Sequence, residues 1–158
     1  MRMNEGVEWA LHCCLNLAWV GERAVTAARL AAFYELPAAY LNKQLQALAR
    51  AGILSSVSGP KGGFRLDRRP EDITLLEVVV AIDGPDDAFR CTEILHRSPF
   101  GDPDADYVDR CVISRHMRAA ELTFRRELAT RTLADIKADV EQAYPGTDDR
   151  TRGWFADG

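Results

Sequence analysis

Residues 26–66 constrain the fold of this chain more than any other segment. Apolar residues recur at helical spacing from Thr26 to about Tyr34, and again from Pro37 to about Arg50, with only a short turn between them. Two strand-like runs follow, joined by Ser-Gly-Pro-Lys-Gly-Gly, a sequence typical of a hairpin turn. This order predicts two packed helices followed by a two-stranded hairpin, with the second helix and the hairpin exposed side by side.

The rest of the sequence predicts mostly helix. The predicted helices are residues 4–20 (closed by Gly21), 73–82, 112–129 and 132–143. Residues 84–110 are expected to be irregular, and the tail after Pro145 is expected to be loose, although Trp154 and Phe155 can dock on the fold. The predicted fold class is mainly α with a small β-wing. The segments are residues 1–83, 84–111, 112–144 and 145–158.

Charge is distributed unevenly along the chain. The 158 residues carry a net charge of −4, but residues 23–69 hold eight Lys or Arg against two acidic residues. That segment is therefore +6 and the remainder −10, which is typical of a protein with one cationic face for DNA, although a basic segment can also be merely solvated. No 18-residue apolar run and no signal-like start occur, so we expect a cytoplasmic protein that does not bind a membrane.

The second helix of the pair has two different faces. Leu41, Leu45 and Leu48 share one face and should point into the core. The opposite side presents small, amide and basic side chains, which can approach a DNA groove and its phosphates, although a single lysine such as Lys43 is more often only solvated. The residues predicted to contact double-stranded DNA are Thr26, Arg29, Ala39, Tyr40, Asn42, Lys43, Gln46, Lys61 and Gly62.

Four residues outside this segment can form a metal site. Glu8 and His12 are four positions apart and leave the same side of the first helix, while Cys91 and Cys111 bracket the irregular segment. Two thiolates, an imidazole and a carboxylate make a complete set of four ligands for zinc or an iron–sulfur cluster. Spacing alone is weak evidence, because a Glu/His pair at this separation is more often a surface hydrogen bond.

The other cysteines and histidines are weaker candidates. Cys13 and Cys14 are adjacent and leave different sides of the helix, so they cannot readily bind one ion together. Cys14 falls on the apolar stripe and is predicted to be structural, whereas the role of Cys13 stays open. His96 and His116 are reserve ligands.

The whole pattern resembles the winged helix-turn-helix regulators typified by the iron–sulfur proteins IscR and NsrR, over about residues 3–140. The resemblance rests on the paired helices, the A-R-A-G-I-L entry to the hairpin, the S-G-P-K-G-G-F tip, the I-T-L-L-E-V-V helix ending in A-I-D-G-P, and the cysteine loop before a long helix. It implies a DNA-binding domain at residues 1–83, a cluster-binding loop at 84–111, and dimerisation and C-terminal helices at 112–144, with the dimer formed through the long helix that begins at residue 112.

The number of loop cysteines departs from the common pattern of this family. Members of this family usually carry three closely spaced loop cysteines, but this loop has only two, 20 positions apart. The start V-E-W-A-L-H-C-C is similar to the redox-sensing branch typified by RsrR, in which Glu and His of the first helix join two cysteines around a 2Fe–2S cluster. This similarity implies Glu8, His12, Cys91 and Cys111 as ligands. Trp9, next to Glu8, is a candidate for the switch, although a buried anchoring role is equally compatible.

The resulting prediction is a homodimeric repressor, not an enzyme, whose affinity for operator DNA is controlled by the redox state of a 2Fe–2S cluster. We hypothesise that each cluster joins Glu8 and His12 of one protomer to the cysteines of its partner. No small-molecule substrate is expected.

Three alternatives stay open. The same fold can sense through zinc or through metal-free thiols. A thiol oxidoreductase using Cys13 and Cys14 is disfavoured because the chain has no C-x-x-C motif. An adaptor that has lost DNA binding is the third. The operator, the regulated genes, the physiological signal and the redox state that binds DNA are not determined by the sequence.

Overall fold

The computed structural model describes residues 3–157, and it confirms a mainly α-helical fold with a small two-stranded wing. Two short 3₁₀ turns, Pro70–Asp72 and Ile94–Arg97, complete the regular structure of these residues. The elements are α1 (Glu5–Val20), α2 (Ala27–Phe33), α3 (Ala38–Arg50), β1 (Leu54–Val57), β2 (Gly63–Leu66), α4 (Leu75–Asp83), α5 (Tyr107–Arg110), α6 (Val112–Thr130), α7 (Leu133–Ala143) and α8 (Thr147–Ala156).

Helix α1 is the centre of the fold. It begins after Asn4, whose side chain accepts a hydrogen bond from the Gly6 amide, and it ends at Gly21, whose φ of +82° stops the helix as predicted. Its buried face contacts α3, α4, α7 and α8, so one helix joins both ends of the chain. The fully buried residues of that face are Ala10, Cys13, Cys14 and Leu17.

The wing is fixed to the beginning of α2. Strands β1 and β2 pair antiparallel, with Leu54 opposite Leu66 and Val57 opposite Gly63. Val25 adds a bridge to Phe64, in which the two backbones exchange hydrogen bonds of 2.9 and 2.8 Å. At Gly63, φ is +138°, and a Cβ atom would lie 2.3 Å from the Val25 carbonyl, so only glycine lets the strand approach this closely.

Helix α4 begins two residues later than predicted, at Leu75. Thr74 and Glu77 form a capping box, in which each side chain accepts a hydrogen bond from the other residue's backbone amide. Ile73 is instead extended, and its carbonyl accepts a hydrogen bond from the Leu133 amide. Both side chains of that pair are fully buried, which joins the start of α4 to the start of α7.

The C-terminal segment differs from the expectation of a loose tail. Residues 147–156 form helix α8, with Asp148 and Asp149 in its first turn, where acidic side chains favour a helix. The predicted docking of Trp154 and Phe155 is confirmed, because both rings pack against Phe33. Within residues 3–157, no helix combines the length and apolarity that crossing a membrane requires.

Candidate DNA interface and metal ligands

The two faces of α3 are as predicted. Leu41, Leu45 and Leu48 are fully buried. On the outer side, Tyr40 is half-buried, and the exposed residues are Ala39, Asn42, Lys43, Gln46 and Arg50. The structure therefore gathers small, amide, aromatic and basic side chains on one outer surface of α3, which is the combination that DNA grooves accommodate.

The beginning of α2 lies beside the wing tip, where Thr26, Arg29 and Lys61 line one groove. Thr26 caps α2, its hydroxyl accepting a hydrogen bond from the Arg29 amide at 3.1 Å. The Arg29 guanidinium lies 3.9 Å from the centre of the Trp154 ring and donates a 2.6 Å hydrogen bond to the Trp154 carbonyl. Arg29 is thus held by α8, a contact that helical spacing cannot reveal.

The wing tip combines an exposed lysine with a crowded turn. Lys61 is exposed, as expected of a phosphate contact. Gly62 was expected to approach DNA closely, but it is buried, and its amide donates to the Gly59 carbonyl at 2.9 Å. A Cβ atom at Gly62 would lie 2.3 Å from the Val57 carbonyl oxygen. Glycine at position 62 therefore allows the turn to close, because a side chain there would collide with the backbone.

Ion pairing divides the basic residues of this region into two groups. Arg65 of β2, and Arg68 and Arg69 just after this strand, pair with Glu22, Glu77 and Asp72 at 3.6, 2.7 and 2.9 Å. Within the described part of the chain, no carboxylate lies within ion-pair distance of Lys43, Arg50 or Lys61. These three cations lie on α3 and at the wing tip, where phosphates of bound DNA would lie.

Glu8 and His12 lie together on the exposed side of α1. They line a surface groove of about 370 Å³ whose other walls include Met3, Val7 and Leu11. A carboxylate and an imidazole at the edge of an apolar groove can bind a metal ion that a second surface covers.

The cysteine loop is organised around Tyr107, which sequence analysis did not single out. The Tyr107 hydroxyl accepts a 2.8 Å hydrogen bond from the Asp102 amide, and its carbonyl lies 3.9 Å from the Cys91 sulfur. The His96 ring, a reserve ligand candidate, packs edge-on against the Tyr107 ring with centroids 4.7 Å apart. Cys111 is half-buried and is the N-cap of α6, where free backbone amides favour negatively charged groups.

A single chain does not assemble a complete metal site from the residues described. No group of three or more His, Cys, Asp or Glu side chains in residues 3–157 can hold one metal ion. Cys91 lines its own pocket of about 240 Å³ together with Ser114 and Arg118. The Ser114 hydroxyl is buried and has no hydrogen-bond partner. The Ser114 donor lines the same pocket as the Cys91 thiol and can serve a sulfur-bound group there, because hydrogen bonds to cluster sulfurs are a usual feature of iron–sulfur sites. Asp86 and Asp87 also line this pocket and add negative charge to it.

Two aromatic contacts connect the exposed side of α1 to the helix pair. The Trp9 ring packs edge-on against Tyr40 at the beginning of α3, with ring centroids 5.1 Å apart. The His12 ring lies 5.4 Å from that of Tyr34, at the end of α2. Burial raises the pKa of Tyr34 to about 12, so its hydroxyl is neutral and donates to the Asn16 side-chain oxygen at 3.3 Å.

Cys13 and Cys14 are both fully buried in the core. The predicted structural role of Cys14 is confirmed, and Cys13 shares it. Burial raises the pKa of Cys13 to about 12 and raises the pKa of Cys14 further above its usual range. Both therefore stay protonated near neutral pH, although nucleophilic attack and metal binding require the thiolate.

An exposed basic helix beside a glycine-tipped hairpin defines this chain as a winged helix-turn-helix protein. The model of the Rrf2 family, described as iron-dependent transcriptional regulator, matches residues 3–139. The chain belongs to this family and is a DNA-binding transcriptional regulator. The predicted family is thus confirmed, whereas assignment to the RsrR-like branch stays a prediction.

Individual relatives agree with the family. The chain is 31% identical to the protein aau3 of Rhizobium meliloti over 136 residues, which cover 86% of this chain and 84% of that protein. It is similar in fold to IscR of T. potens, with 22% identity, a TM-score of 0.66 and 91% of both chains covered. CymR, the global cysteine regulator of B. subtilis, aligns with 22% identity and a TM-score of 0.62, covering 87% of this chain and 97% of CymR.

Proposed function

We propose that this protein is a homodimeric repressor whose affinity for operator DNA depends on the redox state of a 2Fe–2S cluster. The ligands are Glu8 and His12 of one protomer and Cys91 and Cys111 of its partner. The predicted outer residues of α3, together with Thr26 and Lys61, contact the DNA.

One observation carries the proposal: the four ligand candidates fall into two groups in one chain. Glu8 lies with His12 on α1, and both cysteines lie at Tyr107, whose carbonyl is 3.9 Å from the Cys91 sulfur and accepts a 3.1 Å hydrogen bond from the Cys111 amide. Glu8 and His12 line a groove on α1, and Cys91 lines a pocket against α6. Neither pair is a metal site alone, but each supplies two ligands, which is half of the usual set around a 2Fe–2S cluster. A second chain is needed to bring the pairs together.

Helix α6 presents a surface that a second chain would cover. Val112, Ile113 and Met117 are 56%, 67% and 43% exposed. Such an apolar strip on a long helix is typical of a subunit interface, because its exposure to water is unfavourable. The strip begins next to Cys111, so a second chain that covers it would lie beside the cysteine loop.

The contacts of α1 provide a route from the ligands to the DNA-binding surface. A 2Fe–2S cluster supplies reversible one-electron chemistry when it is bound. Trp9 contacts Tyr40 at the beginning of α3, and His12 contacts Tyr34 at the end of α2. A change of charge or ligation at Glu8 and His12 would therefore reach both helices through direct contacts. Trp9 is therefore our candidate for the residue that couples the two sites.

The test is an absorption and electron-resonance spectrum of protein purified without oxygen, together with iron and sulfide analysis. We expect a 2Fe–2S spectrum that is lost in Glu8→Ala, His12→Ala, Cys91→Ala and Cys111→Ala. The matched controls Glu5→Ala, His116→Ala and Cys13→Ala remove the same chemical groups from positions outside the proposed set of four ligands and should retain the spectrum. Loss of the spectrum in His116→Ala would make this reserve candidate a ligand. Colourless protein with bound zinc, or with no metal, would support the zinc or thiol alternative instead.

Mixed dimers test the sharing of ligands between protomers. When Glu8→Ala and Cys91→Ala chains are refolded together, the mixed dimer should contain one intact site of the two. In that site, the Cys91→Ala chain supplies Glu8 and His12, and the Glu8→Ala chain supplies both cysteines. Absence of any cluster in the mixed dimers would show that each site belongs to one chain.

A further inference from the structure

Helix α8 lies beyond residue 139, where the match to the family model ends, yet it packs against the DNA-binding domain. Phe155 is 2% exposed and stacks on Phe33 with a ring separation of 5.2 Å and an interplanar angle of 9°. Trp154 packs edge-on against Phe33 at 4.9 Å. Aromatic pairs of this geometry contribute beyond their buried area, so α8 is a fixed part of the domain.

Two arginines of the DNA-binding domain bind the carboxyl end of α8. Arg29 donates to the Trp154 carbonyl and stacks on the Trp154 ring, and Arg23 donates to the Phe155 carbonyl. The last carbonyls of a helix have no partner within it and carry a partial negative charge, which attracts cations. Helix α8 therefore determines where both guanidinium groups lie.

Both arginines also line a surface groove of about 470 Å³ between the beginning of α2 and the wing tip. The groove includes Thr26 and Lys61, two predicted DNA contacts, and α8 contributes Phe155 to it. In the described residues, Arg23, Arg29 and Lys61 have no carboxylate within ion-pair distance. Three unpaired cations around one groove suit a phosphate group.

We propose that Trp154 and Phe155 are positioning residues of the DNA interface: they hold Arg29 and Arg23 at this groove, where the two side chains bind a phosphate of the DNA backbone. The inference rests on the DNA-binding surface proposed above. A side chain already fixed by stacking loses less conformational entropy when it binds, so the docked helix raises affinity without touching the DNA. Guanidinium groups suit this role because each has five donors and uses only some of them on α8.

The experiment measures binding of a fluorescein-labelled duplex of arbitrary sequence as a function of salt, because phosphate contacts do not depend on sequence. Trp154→Ala leaves the net charge unchanged, yet we expect the slope of log K against log salt to become shallower by about 0.9 for one lost phosphate contact. Affinity should fall roughly tenfold. Tyr144→Ala, which removes a 67% exposed aromatic residue before α8, is the matched control and should change neither quantity.

A second variant covers the case in which Trp154→Ala unfolds, as judged by circular dichroism. Arg29→Lys keeps the charge but loses the planar stacking and the forked arrangement of donors. It should reduce affinity and the salt slope in the same direction as Trp154→Ala. An unchanged slope in the folded variants, or tighter binding, would overturn the positioning role while leaving DNA binding intact. Failure of the wild-type protein to bind duplex DNA would instead refute the proposed interface itself.

Discussion

The contact between Gly63 and Val25 gives the sharpest prediction about the wing. In Gly63→Ala, the new methyl group would lie 2.3 Å from the Val25 carbonyl carbon and oxygen. Those atoms belong to the backbone, so no side-chain rotation can relieve the contact. The strand must move away from Val25, and the two hydrogen bonds that join Val25 to Phe64 must lengthen or break.

The magnitude follows from two terms. A side chain at a φ of +138° costs about 1–3 kcal/mol. Loss of two backbone hydrogen bonds adds about 1 kcal/mol each. Gly63→Ala should therefore lower the free energy of unfolding by about 3–5 kcal/mol, a large share of the 5–15 kcal/mol typical of a domain.

Gly59→Ala is the matched control. Gly59 also has a positive φ, +98°, but no atom lies within 4 Å of the position its Cβ would take. It should therefore lose only the conformational term, about 2 kcal/mol less than Gly63→Ala. Urea unfolding followed by circular dichroism, at one protomer concentration, measures both values. Equal losses in the two variants would refute the close approach of the wing to Val25.

Three further outcomes are expected. Ile113→Glu and Met117→Glu should each convert dimers to monomers in light scattering, because each places a charge in the exposed apolar strip of α6. Ala129→Glu, on another side of that helix, is the control and should leave the dimer intact. Dimers that persist in both strip variants would exclude this strip as the interface. In metal-free native protein at neutral pH, a thiol reagent should modify only Cys91 and Cys111, because burial raises the pKa of Cys13 and Cys14 and keeps both protonated. After unfolding, the reagent should modify all four cysteines. Rapid modification of all four in the native protein would contradict the burial of Cys13 and Cys14. Burial alone would raise the pKa of Glu77, but hydrogen bonds from Thr74 and Arg68 lower this pKa overall. The ionised Glu77 side chain therefore stabilises the fold above about pH 4.3, and this contribution is lost as pH falls through the lower folded-state pKa. The difference in unfolding free energy between wild type and Glu77→Gln should shrink from pH 7 to pH 3, and a constant difference would count against the capping box.

The parts of the fold predicted well from the sequence are those governed by local chemistry. Leucine spacing on α3 correctly separated its core face from its outer face, because the helical period fixes both at once. The caps at Thr26 and Gly21 were also predicted, since their side chain or backbone satisfies the ends of their own helices.

The errors occurred where distant segments meet. The apolar spacing includes Ile73 in the predicted helix, but its carbonyl accepts a hydrogen bond from the Leu133 amide, 60 positions away. This contact holds Ile73 extended, so α4 begins only at Leu75. The segment after Pro145 contains turn-forming residues and gives little helical signal, but aromatic packing on Phe33 stabilises α8. Tertiary packing overrode local preference in both cases.

The candidate site shows the same division. Glu8 and His12 were correctly placed together on one side of α1 by their spacing. The position of Gly62 inside the turn and the capture of Arg29 by Trp154 depend on contacts between elements, which periodicity does not encode. The role of Tyr107 in the loop was equally hidden, because its partners Cys91, His96 and Asp102 lie in an irregular segment without a helical or strand period.

The three tryptophans of the chain lie at three different junctions. Trp9 contacts Tyr40 of α3, Trp19 donates a 2.8 Å hydrogen bond to Glu141 of α7, and Trp154 stacks with Arg29. Intrinsic fluorescence can therefore follow each junction without an attached dye, provided that two of the three indoles are replaced by phenylalanine in turn. A protein that keeps Trp9 alone would emit from the contact between α1 and α3. The proposed redox switch requires that this emission change when the protein is reduced.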